Sequence, residues 1–189
     1  MRTRKRTNPA DPAGDSPTSG FPPILGPDPR VLVLGSLPSV KSVELSQYYG
    51  HPRNAFWPIM DGLFGAGRSL PYDERKQILV ENRVAVWDVL ASSVRPGSMD
   101  AAIDSASAKP NDFSNLFAVH RCIHSVFFNG QAAAKLFNSL VAPTLENRSN
   151  RRNYQALPST SPAHAAMCFE EKLAAWRCVA DAARKNQRG

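Results

Sequence analysis

Four short strand-like runs constrain this chain most: Val31-Leu-Val-Leu34, Val84-Ala-Val-Trp87, Ile123-His-Ser-Val-Phe-Phe128 and Tyr154-Gln-Ala-Leu157. Each is too brief for a helix, and they are separated by segments with helical periodicity. That alternation predicts an α/β fold whose central four-stranded sheet is mainly parallel and covered by helices. Helices are expected near residues 55–64, 73–82, 113–119, 131–140 and 168–184. Asp112 is expected to cap one of them and Asp73 to lie at the start of another. No internal repeat is visible.

In a parallel sheet, ligands bind beyond the carboxyl ends of the strands. Here those ends are polar: Gly35-Ser36, Asp88, Asn129-Gly130 and the loop Pro158-Ser-Thr-Ser-Pro162. Parallel strands would bring all four to one edge, placing a carboxylate, amides, aromatics and a serine-rich loop around one cleft. Such a set suits reading a heterocycle by its hydrogen-bonding edge. The loop from Tyr48 to Trp57, rich in Tyr, His, Arg and Asn, has the composition of a site mouth.

At 189 residues and 42% hydrophobic content, one domain can bury roughly two-thirds of its unfolded surface. The net charge of +7 favours an anionic partner. The first 20 residues carry Arg2, Arg4, Lys5 and Arg6 against Asp11 and Asp15, a net +2, so +5 remains on the rest. Residues 1–22, rich in Pro, Gly, Ser and Asp, read as a flexible tail, with a single domain over 23–189. The tail contains no hydrophobic signal core, and no apolar run approaches the ~20 residues of a membrane span. A cytoplasmic location follows as the expectation.

Cys122, Cys168 and Cys178 are odd in number and form no C-x-x-C pair, which argues against a disulfide framework, a zinc site or an iron–sulfur cluster. They are expected to be core thiols. His120 and His124 have i,i+4 spacing but should straddle a helix end and a strand start, which is no metal geometry.

Six blocks then resemble the hypoxanthine-DNA glycosylases of the uracil-DNA glycosylase superfamily, in order and with family-like spacing. They are Gly35-Ser-Leu-Pro-Ser-Val-Lys-Ser42, Gln47-Tyr-Tyr-Gly-His-Pro-Arg-Asn-Ala-Phe-Trp57, Val86-Trp-Asp-Val-Leu90, Lys109-Pro-Asn-Asp-Phe113, Phe128-Asn-Gly-Gln131 and Pro158-Ser-Thr-Ser-Pro-Ala163. The resemblance covers residues 30–178 and leaves the tail outside. It implies a three-layer α/β/α domain that extrudes a deaminated base from DNA and hydrolyses its N-glycosidic bond. The product is an abasic site, and no metal or organic cofactor is implied. Hypoxanthine is the expected base, with uracil and xanthine as alternatives, and the protein is expected to act as a monomer.

Carried over residue by residue, the resemblance makes Asn54 the key catalytic amide and Asn129 a second one. Ser36, Tyr49 and Asp88 would meet the base, Tyr49 by stacking. Ser39, Lys41, His51, Arg53, Ser159, Ser161 and His164 are candidates for DNA contacts, and Arg151 and Arg152 could add phosphate contacts. Phe56 and Trp57 are assigned mainly to core packing, and Asn54 is also a natural cap for the helix beginning near Ala55. The chain departs from the pattern at two places. Leu37 stands in the block where several relatives carry a water-positioning Asp or Asn, and the His of many relatives' groove loop is absent, with Leu157 preceding Pro158. If that His stabilises the departing base's oxygen in the relatives, the departure implies activity on uracil that is weaker or relies on other groups.

Two other readings come from the residues. A Ser/Lys hydrolase using Ser39 and Lys41 lacks both G-x-S-x-G and S-x-x-K spacing. A non-catalytic DNA-binding module that keeps the fold would be consistent with Leu37 and the missing His.

Overall fold

The structure, a computed structural model, describes residues 16–97, 99–145 and 152–185. Its centre is a four-stranded, all-parallel sheet of β2 (Val31–Gly35), β3 (Val84–Asp88), β6 (Ser125–Asn129) and β7 (Asn153–Leu157), in the order β3-β2-β6-β7. The four expected runs are these strands. Val31, Leu32, Val33 and Leu34 are each fully buried, as a central strand between two helical layers requires.

Alternation along β2 divides the core in two. Val31 and Val33 face a cluster with Val84, Val86, α2 (Phe56–Phe64), α3 (Tyr72–Glu81) and α6 (Phe169–Arg184), centred on Phe56, Trp57, Ile59 and Trp176. Leu32 and Leu34 face the opposite layer, where Phe113, Leu116 and Phe117 of α4 (Phe113–Val119) and Ala133 of α5 (Gln131–Leu136) pack with Phe137. This is the three-layer α/β/α arrangement. Asp112 caps α4 by accepting a hydrogen bond from the Asn115 amide at 2.9 Å, and Asp73 and Glu74 occupy the first turn of α3.

Four features depart from the expectations. The helix expected over 131–140 is α-helical only to Leu136, then widens into a π-helical turn, Phe137–Val141, that buries both of its end residues. A short helix, α1 (Val40–Leu45), follows β2, with Ser39 as its N-cap. Three further strands, β1 (Thr18–Ser19), β4 (Leu90–Ser93) and β5 (Lys109–Pro110), form a small antiparallel sheet in the order β1-β4-β5. Thr18 and Ser19 therefore belong to the fold rather than to a tail reaching residue 22. The open edge of β4 supplies their backbone partners, and the Phe21 carbonyl then accepts from Trp87 Nε1 at 3.1 Å and Tyr48 Oη at 3.2 Å. Residues 1–15, with the basic cluster, lie outside the described residues.

The cysteines are the fourth departure, since Cys122 and Cys168 are exposed and only Cys178 is half-buried. Cys122 lies between α4 and β6, and Cys168 stands at the start of α6, where its amide donates to Glu171 Oε2 at 2.8 Å, so neither position faces the core. His120 ends α4 and His124 precedes β6, as expected. Among the described residues, no helix is long and apolar enough to cross a membrane, and no cluster of three or more His, Cys, Asp or Glu side chains is placed to hold a metal.

Candidate active site

Strand register determines which residues meet at the sheet edge. Gly35 pairs with Asp88, Leu34 with Phe128, and Asn129 with Leu157, so the polar ends of β2, β3 and β6 and the loop after β7 stand side by side. A cleft opens there, lined by Gly35 to Ser39, Tyr49, Asn54, Asp88, Asn129 and the loop Ser159 to Ser161.

Gly35 is required by close approach. A Cβ at this position would overlap Asp88 Oδ1 and come within 3.1 Å of the Tyr49 hydroxyl. The carboxylate and the phenol therefore share the space that a side chain would occupy. Asp88 is 3% exposed, and its Oδ2 has no hydrogen-bond partner among the described residues. Burial pushes the carboxyl up to about 7; the Arg95 guanidinium acts against this shift and Asp100 adds to it. Asp88 thus exchanges its proton near neutrality.

Tyr49 adopts left-handed backbone with φ of 53°, an uncommon conformation for a bulky residue. Its ring stacks on Phe56, with centroids 4.0 Å apart and planes 25° from parallel. Phe56 therefore serves the core and also supports an aromatic of the cleft. The Tyr49 hydroxyl is buried without a hydrogen-bond partner in good geometry among the described residues. Burial and the neighbouring Asp88 raise its pKa, the Asn129 amide opposes the shift, and the phenol stays protonated as a donor. A buried donor and a buried acceptor oxygen thus lie in one cleft, each able to take a polar partner.

Asn54 lines the same cleft from the other side. Its Oδ1 accepts from the Phe56 amide at 2.9 Å, so the expected capping role is present one residue before the cap position, which Ala55 occupies. A carbonyl oxygen has two lone pairs, which leaves one for a water molecule or a substrate. Asn129 is committed differently. Its Nδ2 donates to Thr160 Oγ1 at 2.8 Å and its Oδ1 accepts from the Thr160 amide at 2.8 Å. The Thr160 carbonyl in turn accepts from the Ala55 amide at 2.9 Å, so Asn129 ties the loop after β7 to the residue beside Asn54.

The other expected residues divide between the cleft and its surroundings. Ser36 lines the cleft and donates to Asp100 Oδ1 at 2.5 Å. Ser39 lines it while capping α1, accepting from the Ser42 amide at 3.2 Å. Ser159 and Ser161 also line it, and each hydroxyl accepts a backbone amide two residues ahead. Lys41 lies on the exposed side of α1, paired with Glu44 at 2.9 Å. Arg53 is exposed, and His51 Nδ1 accepts from its amide at 3.1 Å. His164 offers its carbonyl to Lys172 Nζ at 2.7 Å.

Arg152 is turned inward. Its guanidinium bonds the Ile123 and Phe117 carbonyls and sits 4.1 Å over the Phe117 ring, where inter-element packing holds it away from a phosphate role. Arg151 lies outside the described residues.

Four contributors were not expected. Arg68 Nη2 donates to the carbonyls of Tyr49, His51 and Asn54 at 3.2, 2.8 and 3.2 Å, holding the site-mouth loop in shape. Arg95 and Asp100 also line the cleft and bond the Gly35–Ser39 loop, and Thr160 is the buried link just described. Arg68, Arg95 and Asp100 act on loops elsewhere in the chain and carry no local motif. The Pro-Ser-Thr-Ser-Pro run offered the one local signal, for Thr160.

Comparison with known proteins identifies the family. The family model of the uracil DNA glycosylase superfamily matches residues 22–181. A protein named hypoxanthine DNA glycosylase from Methanosarcina acetivorans is 36% identical over 117 residues, 61% of this chain and 73% of the relative. Another of that name, from Methanosarcina barkeri, is 32% identical over 148 residues, 74% of this chain and 92% of the relative. A solution NMR structure of a candidate uracil DNA glycosylase from Methanosarcina acetivorans superposes with a TM-score of 0.69 at 31% identity, covering 87% of this chain and 99% of that one. With the family model matched from ahead of β2 to within α6, the chain belongs to the uracil DNA glycosylase superfamily.

Proposed function

We propose that the chain is a monofunctional DNA glycosylase that takes a deaminated base, hypoxanthine foremost and uracil or xanthine after it, into this cleft. It hydrolyses the N-glycosidic bond and leaves an abasic site for base excision repair. The observation that carries this reading is the unpaired couple of Tyr49 hydroxyl and Asp88 carboxylate in one cleft. Deaminated bases present a lactam edge, an N–H beside a carbonyl. Ionised Asp88 accepts the N–H, and protonated Tyr49 donates to the carbonyl. Adenine presents the two functions in the opposite order. Guanine shares the lactam edge but is well paired in a duplex, so its extrusion carries the full cost of a few kcal/mol that a mispaired base partly avoids.

Cleavage requires the departing base and the oxocarbenium-like sugar to be stabilised while water attacks the anomeric carbon. Donation from Tyr49 to the base carbonyl favours the leaving group, and Asp88 orients the base by accepting its lactam N–H. Asn54 holds the water with the lone pair that the Phe56 amide leaves free. Asn129, with both amide groups on Thr160, positions the loop that keeps the base extruded. Ser39, Ser159 and Ser161 are candidates for phosphate or groove contacts at the rim. The names of the two archaeal relatives support hypoxanthine as the leading base.

The test incubates labelled duplexes containing one hypoxanthine, uracil or xanthine with the wild type and with Asn54→Ala, followed by alkaline cleavage of abasic sites. Substrate-specific product, falling at least tenfold in a folded Asn54→Ala, is expected, a loss of about 1.4 kcal/mol or more of transition-state stabilisation. One observation favours a second reading, a DNA-binding module without catalysis: the Asn54 Oδ1 and both Asn129 amide groups already have protein partners. DNA binding with no abasic product from any of the three bases would establish that reading instead.

A further inference from the structure

We propose that Arg95 is a positioning residue of this cleft, clamping the loop after β2 to Asp100 so that loop and carboxylates stand in one arrangement around the base. The inference rests on the glycosylase reading above and names a positioning residue that the resemblance did not include. The Arg95 side chain is 1% exposed, although it lies on an irregular segment beyond β4. Its Nη1 donates to the Leu37 carbonyl at 3.2 Å and its Nη2 to the Pro38 carbonyl, while Nη1 stands 3.6 Å from Asp100 Oδ1. The same Asp100 oxygen accepts from Ser36 Oγ at 2.5 Å. One guanidinium and one carboxylate therefore hold three consecutive residues of the loop, Ser36 to Pro38, which line the cleft.

Burying a guanidinium is costly unless its donors are matched, and here Nε has no partner among the described residues. Packing alone would be served as well by an apolar side chain of similar length. The end of β4 and the turn at residues 104–107 set the position: Ser93 Oγ donates to the Asp104 carbonyl at 3.2 Å, the Val94 amide donates to Ser107 Oγ at 2.9 Å, and the Asp104 amide returns to the Val94 carbonyl at 2.9 Å. The second sheet thus supports the active-site cleft through Arg95.

The clamp also acts on Asp88. The charged and titratable groups that bear on this carboxyl are Arg95 beyond β4, Asp100 of the turn Asp100–Ala102, and the Tyr48 and Tyr49 phenols of the site-mouth loop. Arg95 is the one cation among them. It favours the ionised Asp88 that accepts a lactam N–H, whereas Asp100 disfavours it.

The experiment uses the full chain as Arg95→Met, Arg95→Lys and Asp100→Asn. Two readouts are taken: the carboxyl titration of Asp88 by NMR without DNA, and the pH profile of hypoxanthine kcat/KM. In folded Arg95→Met, Asp88 is expected to titrate measurably higher than in the wild type. Excision should fall at least tenfold near neutrality, with part of the loss recovered at higher pH. Asp100→Asn should move the titration the other way. Arg95→Lys, which keeps the charge and loses the two-pronged clamp, should leave the titration near wild type while kcat/KM falls at all pH values. A folded Arg95→Met whose Asp88 titrates as in the wild type, or whose loss is the same at every pH, would overturn the proposal. If Arg95→Met does not fold, an unchanged titration in Asp100→Asn overturns it. Absence of base release by the wild type would sink the glycosylase reading, while the titration would still decide whether Arg95 governs Asp88.

Discussion

At the residue scale, the cleft rests on polar groups buried without partners. Asp88 makes the clearest prediction because its folded pKa of about 7 lies above the ordinary 3.8. A raised carboxyl pKa means that its stabilising contribution is present below about pH 4 and is lost as pH rises through about 7. Asp88→Asn should therefore match wild-type stability near about pH 4 and exceed it above about pH 7, with an upper bound of about 4 kcal/mol, read by denaturant unfolding across pH. The same variant should lose the neutral-pH limb of excision, so stability and activity move in opposite directions. Gly35→Ala should abolish most activity, at least tenfold in kcat/KM, because its methyl group displaces the Asp88 carboxylate. Tyr49→Phe keeps the stack on Phe56 and loses only the donor, so its loss in kcat/KM should be smaller than that of Tyr49→Ala. Asn54, Tyr49 and Asp88 were legible as candidates because each sits in a polar strand end or loop of unusual composition. Arg68, Arg95 and Asp100 were not, because the loop carbonyls and the Ser36 hydroxyl that they bond belong to other segments of the chain, which only the fold brings to them.

At the element scale, α6 links the core to the site. Trp176 is fully buried, and its Nε1 donates to the Pro158 carbonyl at 3.0 Å, at the start of the loop that carries Ser159 to Ser161. Trp176→Ala should cost about 3–5 kcal/mol of stability through the cavity it leaves. Trp176→Phe should cost less in stability but release the loop, seen as faster proteolysis or hydrogen exchange at residues 158–163. The four central strands were readable because their apolar runs are separated by segments with helical period, and α4 because Asp112 caps it. Strands β1 and β5 are two residues long, below what any periodicity can reveal, and they exist because β4 offers them an edge. The break at Phe137 was equally hidden, since Gln131 to Leu140 keeps a helical apolar pattern through the change from α to π geometry.

At the scale of the whole molecule, sheet topology explains why one edge carries the chemistry. Parallel strands aligned in register end together, so Gly35, Asp88 and Asn129 meet without any loop having to reach across the fold. The surplus of positive charge, +7 over the chain, should make DNA affinity fall with salt, with a log–log slope of about −2 to −4 for a few neutralised phosphates, measured by fluorescence anisotropy. The central claim is that this edge releases a deaminated base. Its most direct measurement mixes stoichiometric protein with a duplex holding one hypoxanthine and follows the free base by mass spectrometry. The account predicts about one hypoxanthine released per duplex, with the sugar–phosphate strand intact until alkali is added. Full binding with the base still attached after many hours would contradict it.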